Sequence, residues 1–316
     1  APAPVSAYLH SATMVKAGIF LMARMWPVLS GTPEWFVIVT TAGLVTMVLG
    51  AVIALFKHDL KALLAFSTVS HLGLITMLLG TGTAFGAMAA VFHILNHATF
   101  KAALFMSAGI VDHEAHTRDI RRLGGLRKLM PVTFVIVTLA ALSMAGIPLL
   151  NGFLSKEMML EEASHTYWAG SAYAVPVLAT IGALLSVAYS FRFIAHVFLG
   201  PVRDDYPHKP HDPNPGMWMP PAILVVLVVV IGVWAVRRTR SARDFFIAGQ
   251  GIGLLVTALA TMSAAFSGFV FIGGPGLTYR IGLASLFISI PVSFTAACVA
   301  GQIGSGAGGV YVTNAN

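Results

Sequence analysis

The chain has 316 residues, of which 57% are hydrophobic and 10% charged, with a formal net charge of +7. A soluble domain carries about 25% charged residues, so this composition excludes a water-soluble enzyme or binding module and describes a membrane protein. One cysteine, Cys298, leaves no disulfide framework and no cysteine-rich metal site. The basic excess sits in short loops beside apolar stretches, which is a membrane-topology signal rather than a nucleic-acid footprint.

In chain order, apolar stretches of spanning length fall at about 5–27, 35–56, 61–80, 85–111, 131–150, 172–199, 217–236, 245–271 and 281–303. About nine spans with short connections leave no room for a soluble domain. The expected fold class is all-α, a polytopic membrane protein with broken helices. No signal-peptide pattern precedes the first span. The chain opens on Ala1-Pro-Ala-Pro4 and enters a span at once, which reads as a piece of something longer. Loops after the second, fourth and sixth spans hold Lys57 and Lys61, then Arg118, Arg121, Arg122, Arg127 and Lys128, then Arg203 and Lys209. Those after the first and third hold little beyond Arg24, which assigns the basic loops and the N-terminus to the cytoplasm. The loop after the seventh span then falls outside, yet it carries Arg237, Arg238, Arg240 and Arg243. That contradiction requires a miscounted span or a join between two pieces of different topology.

The fourth span contains Phe92-His-Ile-Leu-Asn-His-Ala-Thr-Phe-Lys101. His93, His97 and Lys101 recur at every fourth position, and on an α-helix that spacing stacks them on one face, about 6 Å apart along the axis. Chargeable groups at membrane depth are costly and are retained for ion or proton traffic, so the first reading is an ion transporter. Histidine titrates near neutrality and a lysine stripped of water gives up its proton more readily, so such groups alternating with water form a proton wire. Farther along, Gly146-Ile-Pro-Leu-Leu-Asn-Gly152 sets a proline and two glycines in mid-segment, where the helix should break just before Lys156. Other polar residues have plainer readings. A lone histidine on an apolar helix is ordinarily a hydrogen-bonded packing residue, as for His71 and His196. Lys57 and Lys61 sit at a span end, where snorkelling is the default. Arg192 pairs with a neighbour or reaches the interface. No acidic residue lies within the first four spans, so Lys101 is expected to lack a buried carboxylate partner.

The run Pro4-Val-Ser-Ala-Tyr-Leu-His-Ser-Ala-Thr-Met-Val-Lys-Ala-Gly-Ile-Phe20 is followed in order by four further blocks. They are Lys57-His-Asp-Leu-Lys-Ala-Leu-Leu-Ala-Phe-Ser-Thr-Val-Ser-His-Leu-Gly73, the Phe92 to Lys101 run, Gly124-Gly-Leu-Arg-Lys-Leu-Met-Pro131 and Gly152-Phe-Leu-Ser-Lys-Glu157. Over about residues 3 to 220 they resemble the antiporter-like subunits of respiratory complex I and of multisubunit Na+/H+ antiporters. Met14-Val-Lys16 makes the likeness strongest to the large A-type antiporter subunit. The resemblance implies that His93, His97 and Lys101 are central proton-relay positions and that Lys156 is the relay lysine of a broken helix. His10 and Lys16 would extend the row on the first span, Lys61 and His71 lie on or beside the third, and Lys61 is counted with the relay. It also implies partners, namely other antiporter subunits, Na+, H+ and the bilayer of a prokaryotic cell membrane, with no catalytic residue, metal or cofactor. In that family a glutamate and lysine pair on helices preceding the Pro4 block drives the relay, and those helices are not in this sequence.

From about residue 224 the pattern changes. Ile231-Gly-Val-Trp-Ala-Val-Arg-Arg-Thr-Arg-Ser-Ala-Arg-Asp-Phe-Phe-Ile-Ala-Gly249 and Leu259-Ala-Thr-Met-Ser-Ala-Ala-Phe-Ser-Gly-Phe-Val-Phe-Ile-Gly-Gly-Pro-Gly276 resemble the start of a sodium/solute symporter. That likeness implies a broken first core helix with Ser263, Phe266 and Ser267 at sodium-coordinating positions. The alternative is that Ser263 and Ser267, four apart, are small residues for close helix packing. The expected organisation is therefore an antiporter-like part at 1–222, a symporter-like part at 223–300 and a Gly-rich tail at 301–316. A join between Pro221 and Trp234 would explain the arginine contradiction. The functional expectation is Na+/H+ antiport within a multisubunit complex, by a transporter subunit rather than an enzyme. The alternatives are a proton-pumping subunit of an NADH:quinone oxidoreductase-type complex, Na+-coupled solute symport, and an inactive fused fragment.

Overall fold

A computed structural model of the chain describes residues 3–238, apart from 12, 169, 204 and 205. The expected spans 245–271 and 281–303, the tail, Arg240 and Arg243, and the candidates Ser263, Phe266 and Ser267 lie outside the described residues. Within them the chain is helical, with two isolated bridges and no extended strand. Ten α-helices follow in order: α1 Ala3–Ser11, α2 Ala17–Leu29, α3 Pro33–Trp35, α4 Thr41–Phe56, α5 Leu60–Gly80, α6 Ala84–Ala115, α7 Pro131–Ala145, α8 Asn151–Ser164, α9 Ala174–Phe198 and α10 Pro215–Arg238. A π-helical turn, Phe36–Thr40, joins α3 to α4. Six stretches among the described residues are long and apolar enough to cross a membrane: 5–29, 33–56, 60–80, 84–115, 174–198 and 215–234.

Local chemistry sets the ends. Thr32, Asp59 and Thr83 cap α3, α5 and α6 by accepting from the amides of Trp35, Ala62 and Gly86. Pro131 begins α7, where its missing N–H costs nothing. Gly146 ends α7 in the left-handed region at φ 86, and its amide and that of Ile147 take up the last carbonyls. Two expected spans differ from what is found. The first is interrupted between α1 and α2 by a short 3-10 turn, Met14–Lys16. The fifth ends as helix at Ala145, short of 150, at the break that Gly146, Pro148 and Gly152 lead one to expect: α7 has 15 residues, too few for a crossing, and α8 resumes at Asn151. Gly146 and Pro148 stop the helix, and Leu149 adopts φ 74, a strained conformation for a branched side chain.

The helix α6 packs against α1, α5, α7, α8 and α10 and forms the centre. Beside it, α4 and α5 approach until side chains cannot fit between backbones. A Cβ on Gly43 would lie 2.3 Å from the Met77 nitrogen, and one on Gly73 would lie 2.4 Å from that of Met47. The three basic loops meet at one end. The amide of Leu60 donates to the carbonyl of Arg118, that of Ile120 to His58, and that of Gly125 to Leu199. Arg192 closes this end by donating to the carbonyls of Leu55 and Lys57, each at 2.6 Å, so it caps α4. The convergence agrees with assigning these loops to one side of a membrane. The helix α10 runs unbroken through the expected boundary at 222/223.

Candidate functional site

The four-residue spacing of His93, His97 and Lys101 does place them together. All three are fully buried, pointing inward from α6. The imidazoles of His93 and His71, the latter from α5, share a hydrogen bond of 2.9 Å between His71 Nδ1 and His93 Nε2. The outer nitrogens extend it: His93 Nδ1 lies 2.9 Å from Ser155 Oγ on α8, and His71 Nε2 lies 3.1 Å from the Tyr189 hydroxyl on α9. Four helices thus contribute one continuous chain, Ser155–His93–His71–Tyr189. Each link holds one proton, so a shift along the chain flips both imidazole tautomers in concert and delivers a proton from one end to the other. His97 sits beside it, ring centroids 5.4 Å from His71 and 6.3 Å from His93. Neither of its nitrogens has a hydrogen-bond partner among the described residues, although the backbone of Ser11 faces it.

The lysines flank this chain. Lys101 donates to Ser67 Oγ and to the Leu64 carbonyl at 3.3 Å, with Met144 Sδ at 3.2 Å. Lys156 donates to the Ala145 carbonyl at 3.1 Å and to Ser186 Oγ at 2.7 Å, and Ser186 in turn donates to the Met144 carbonyl at 3.2 Å. Among the described residues no carboxylate reaches either ammonium. For Lys156 the compensation is the end of α7, where the break leaves the Ala145 carbonyl to it and the negative end of the helix dipole stands where a carboxylate would, whereas Lys101 rests on the Leu64 carbonyl and Ser67 of α5. A small cavity with about 10 Å³ of water-accessible space lies between Ser70, His71, Lys156, Ser186 and Tyr189, room for about one water. Lys16, from the break between α1 and α2, donates to the Ile94 carbonyl at 2.8 Å on the other flank of α6.

The remaining sequence candidates lie apart. Lys61 pairs with Asp112 at 3.1 Å, part of a cluster in which Arg118 bridges Asp59 and Asp112. The fourth span continues as helix to Ala115, past the expected end at 111, and so brings Asp112 opposite Lys61. His10 is half-buried and stacks on Phe105 at 5.1 Å rather than joining the hydrogen-bonded chain. Sequence reasoning read His71 as a packing residue and passed over Tyr189, Ser155, Ser186 and Ser67. A signal for His71 existed: Ser67, Thr68, Ser70 and His71 crowd polar groups into one turn of an otherwise apolar span.

Residues 1–185 match the family model described as NADH:quinone oxidoreductase/Mrp antiporter, TM. The A/B subunit of a probable K+/H+ antiporter from Rhizobium meliloti strain 1021 is 58% identical over 234 residues, 74% of this chain and 23% of that protein. The A1 subunit of a Na+/H+ antiporter from Staphylococcus aureus strain JH9 is 45% identical over 264 residues, 76% of this chain and 33% of that protein. Among solved structures, a chain of the Mrp complex from Dietzia sp. DQ12-45-1b gives a TM-score of 0.68 at 32% identity, covering 98% of this chain and 35% of that one. A chain of the membrane-bound sulfane sulfur reductase, an archaeal respiratory membrane complex, gives 0.64 at 26%, covering 71% and 38%. The chain spans between 23% and 33% of the length of these curated relatives.

Proposed function

Because the chain belongs to the NADH:quinone oxidoreductase/Mrp antiporter transmembrane family, we propose that it is a stretch of an A-type subunit working in cation/proton antiport within a multisubunit complex. The observation that carries this reading is the Ser155–His93–His71–Tyr189 chain, sealed in the interior with Lys101 and Lys156 beside it. His93, His71 and His97 relay protons, Lys101 and Lys156 hold and release them, and Lys16 connects the row to the first broken helix. The transported cation is Na+ or K+, the two named in the relatives. The protein acts as a transporter, not an enzyme, in a prokaryotic plasma membrane with its three basic loops cytoplasmic. The likeness to a respiratory-complex chain favours a second reading, a proton-translocating subunit driven by redox chemistry elsewhere in its complex. For residues 223–300 the symporter-like reading, with Ser263, Phe266 and Ser267 near Na+ and a join to the antiporter-like part at 1–222, rests on the sequence blocks alone.

The test uses the full multisubunit complex in proteoliposomes carrying a pH gradient. Na+ or K+ addition should dissipate the gradient, and His71→Ala should slow this by about 100-fold, the scale of a lost proton-transfer group. Cation-independent dissipation, or a His71→Ala complex that exchanges at the wild-type rate, would overturn the proposal.

A further inference from the structure

Away from the central row, at the loop end of α6, a second buried titratable centre surrounds Glu114. This residue is 4% exposed, and each carboxylate oxygen meets an imidazole. Oε1 lies 3.0 Å from His113 Nδ1 and Oε2 lies 3.1 Å from His211 Nδ1. His113 belongs to α6, whereas His211 comes from the strap 199–214 that leads into α10. The two histidine side chains are 65% and 72% exposed, so bulk pH reaches them directly. Beside them His116, which ends α6 at φ 50, meets His208 of the strap edge-on, with centroids 4.7 Å apart. A buried carboxylate needs a compensating charge or a proton. Here the groups supplying it are histidines, the side chains whose charge changes across neutral pH.

We infer that Glu114, His113 and His211 form a proton-binding site outside the central row, which clamps the strap to the end of α6 when the imidazoles are charged and loosens it when they are neutral. A neutral imidazole gives the carboxylate one hydrogen bond, and a charged one adds an ion pair to it. Other charged or titratable groups here do not substitute. Asp112 is engaged by Lys61 and Arg118, and Asp59 by Arg118. His116 and His208 hold each other, and Asp212 caps α7. Arg127 and Lys128 precede α7, Lys209 lies on the strap, and α10 carries no charge from Pro215 to Trp234. The helix α1 carries Tyr8 and His10, and His10 stacks on Phe105, nine residues before Glu114.

The strap has a direct hold on α7. Asp212, next to His211, accepts from the amides of Val132 and Thr133 at 2.9 and 3.0 Å and from Thr133 Oγ1 at 2.8 Å. No residue of α7's own N-cap does this. About twelve residues on, the other end of α7 presents Met144 to Lys101 and the Ala145 carbonyl to Lys156. A proton bound at Glu114 therefore acts on the helix that holds Lys156 by a carbonyl and lays Met144 against Lys101.

The experiment is hydrogen exchange on the full multisubunit complex, reading protection factors at Val132 and Thr133, which already correct for the intrinsic pH dependence of exchange. Because His211 is exposed, its pair is worth an exposed ion pair, and protection should be about threefold higher at pH about 6 than at pH about 8. His211→Ala, whose side chain supports no core, should remove that pH dependence, and Glu114→Gln should do the same. Equal protection at both pH values in the wild type, or a pH dependence that survives His211→Ala, would overturn the inference. The inference borrows from the antiport reading only the role of the lysines. Exchange reads the strap and not transport, so its failure leaves the antiport reading to the gradient assay.

Discussion

Two interruptions deliver a lysine to the interior, and they are built differently. Between α7 and α8 the sequence announces the break with Gly146, Pro148 and Gly152, and the backbone there visits the left-handed region at Gly146 and Leu149. Between α1 and α2 there is neither glycine nor proline from Val5 to Ala17. That break is held by side chains. Ser11 Oγ donates to the Ala7 carbonyl at 2.5 Å and Thr13 Oγ1 to the Tyr8 carbonyl at 3.1 Å, so hydroxyls take up backbone groups that the helix ladder releases. The first design stops a helix by covalent constraint, the second by competition for its hydrogen bonds. They also treat their lysines differently. Lys156 meets the freed carbonyl end of α7, whereas Lys16 reaches across to a carbonyl in the middle of α6.

The largest effect should separate these two lysines. Lys156→Ala removes an ammonium that sits among Ser186, the end of α7 and the cavity touching His71, and it should lower antiport in proteoliposomes by about 100-fold or more. Lys16→Ala removes a flank of the row and leaves the Ser155–His93–His71–Tyr189 chain intact. Its loss should be smaller, by about tenfold relative to Lys156→Ala. Equal losses would mean that the two breaks serve the relay alike, and the difference in their surroundings would carry no functional weight.

Stability should separate the breaks next. Gly146→Ala places a Cβ at φ 86, which costs about 1–2 kcal/mol for an L-residue. Its nearest neighbour, Lys156 Cδ at 2.7 Å, belongs to a flexible chain that can move aside, so the backbone sets the cost. Thr13→Val keeps the shape and loses one part-buried hydrogen bond, about 1 kcal/mol. Thermal unfolding of the detergent-solubilised complex should rank Gly146→Ala below Thr13→Val. The reverse order would make the hydroxyl-held break the more demanding of the two.

These contrasts also explain what was legible in the sequence. Helical class and the second break follow from apolar length and from Gly146 and Pro148, both local properties. The shared face of His93, His97 and Lys101 follows from one period on one helix. His71 and Tyr189 were not legible as members of the chain, because their roles depend on how α5 and α9 pack against α6. Nor was the first break, since Ser11 and Thr13 look the same whether they back-bond within a continuous helix or end one. The end of α6 was misjudged for a related reason: hydropathy falls at Asp112, but the helix continues because Lys61, Arg118 and the histidines take up its acidic residues.

The smallest expected effect concerns the strap. The Tyr206 hydroxyl donates to the Gly124 carbonyl and accepts from the Gly124 amide, each at 3.0 Å, holding the strap to the loop before α7. Burial pushes its phenol above its ordinary value, an effect that the Gly124 amide and Arg203 partly oppose. A group whose pKa is raised by folding adds stability that is fully present below its unfolded value and is lost as pH rises through the folded one. The anchor should therefore hold at neutral pH and weaken only above pH about 10. Tyr206→Phe should lower the unfolding free energy of the complex by about 1 kcal/mol near neutrality, a net figure for the two part-buried hydrogen bonds that its hydroxyl makes. The gap between wild type and Tyr206→Phe should then narrow as pH rises above about 10, because the wild type loses at that point what the variant never had. A gap that stays constant across that range would show that Tyr206 anchors the strap by packing alone, with its hydroxyl contributing nothing to the hold.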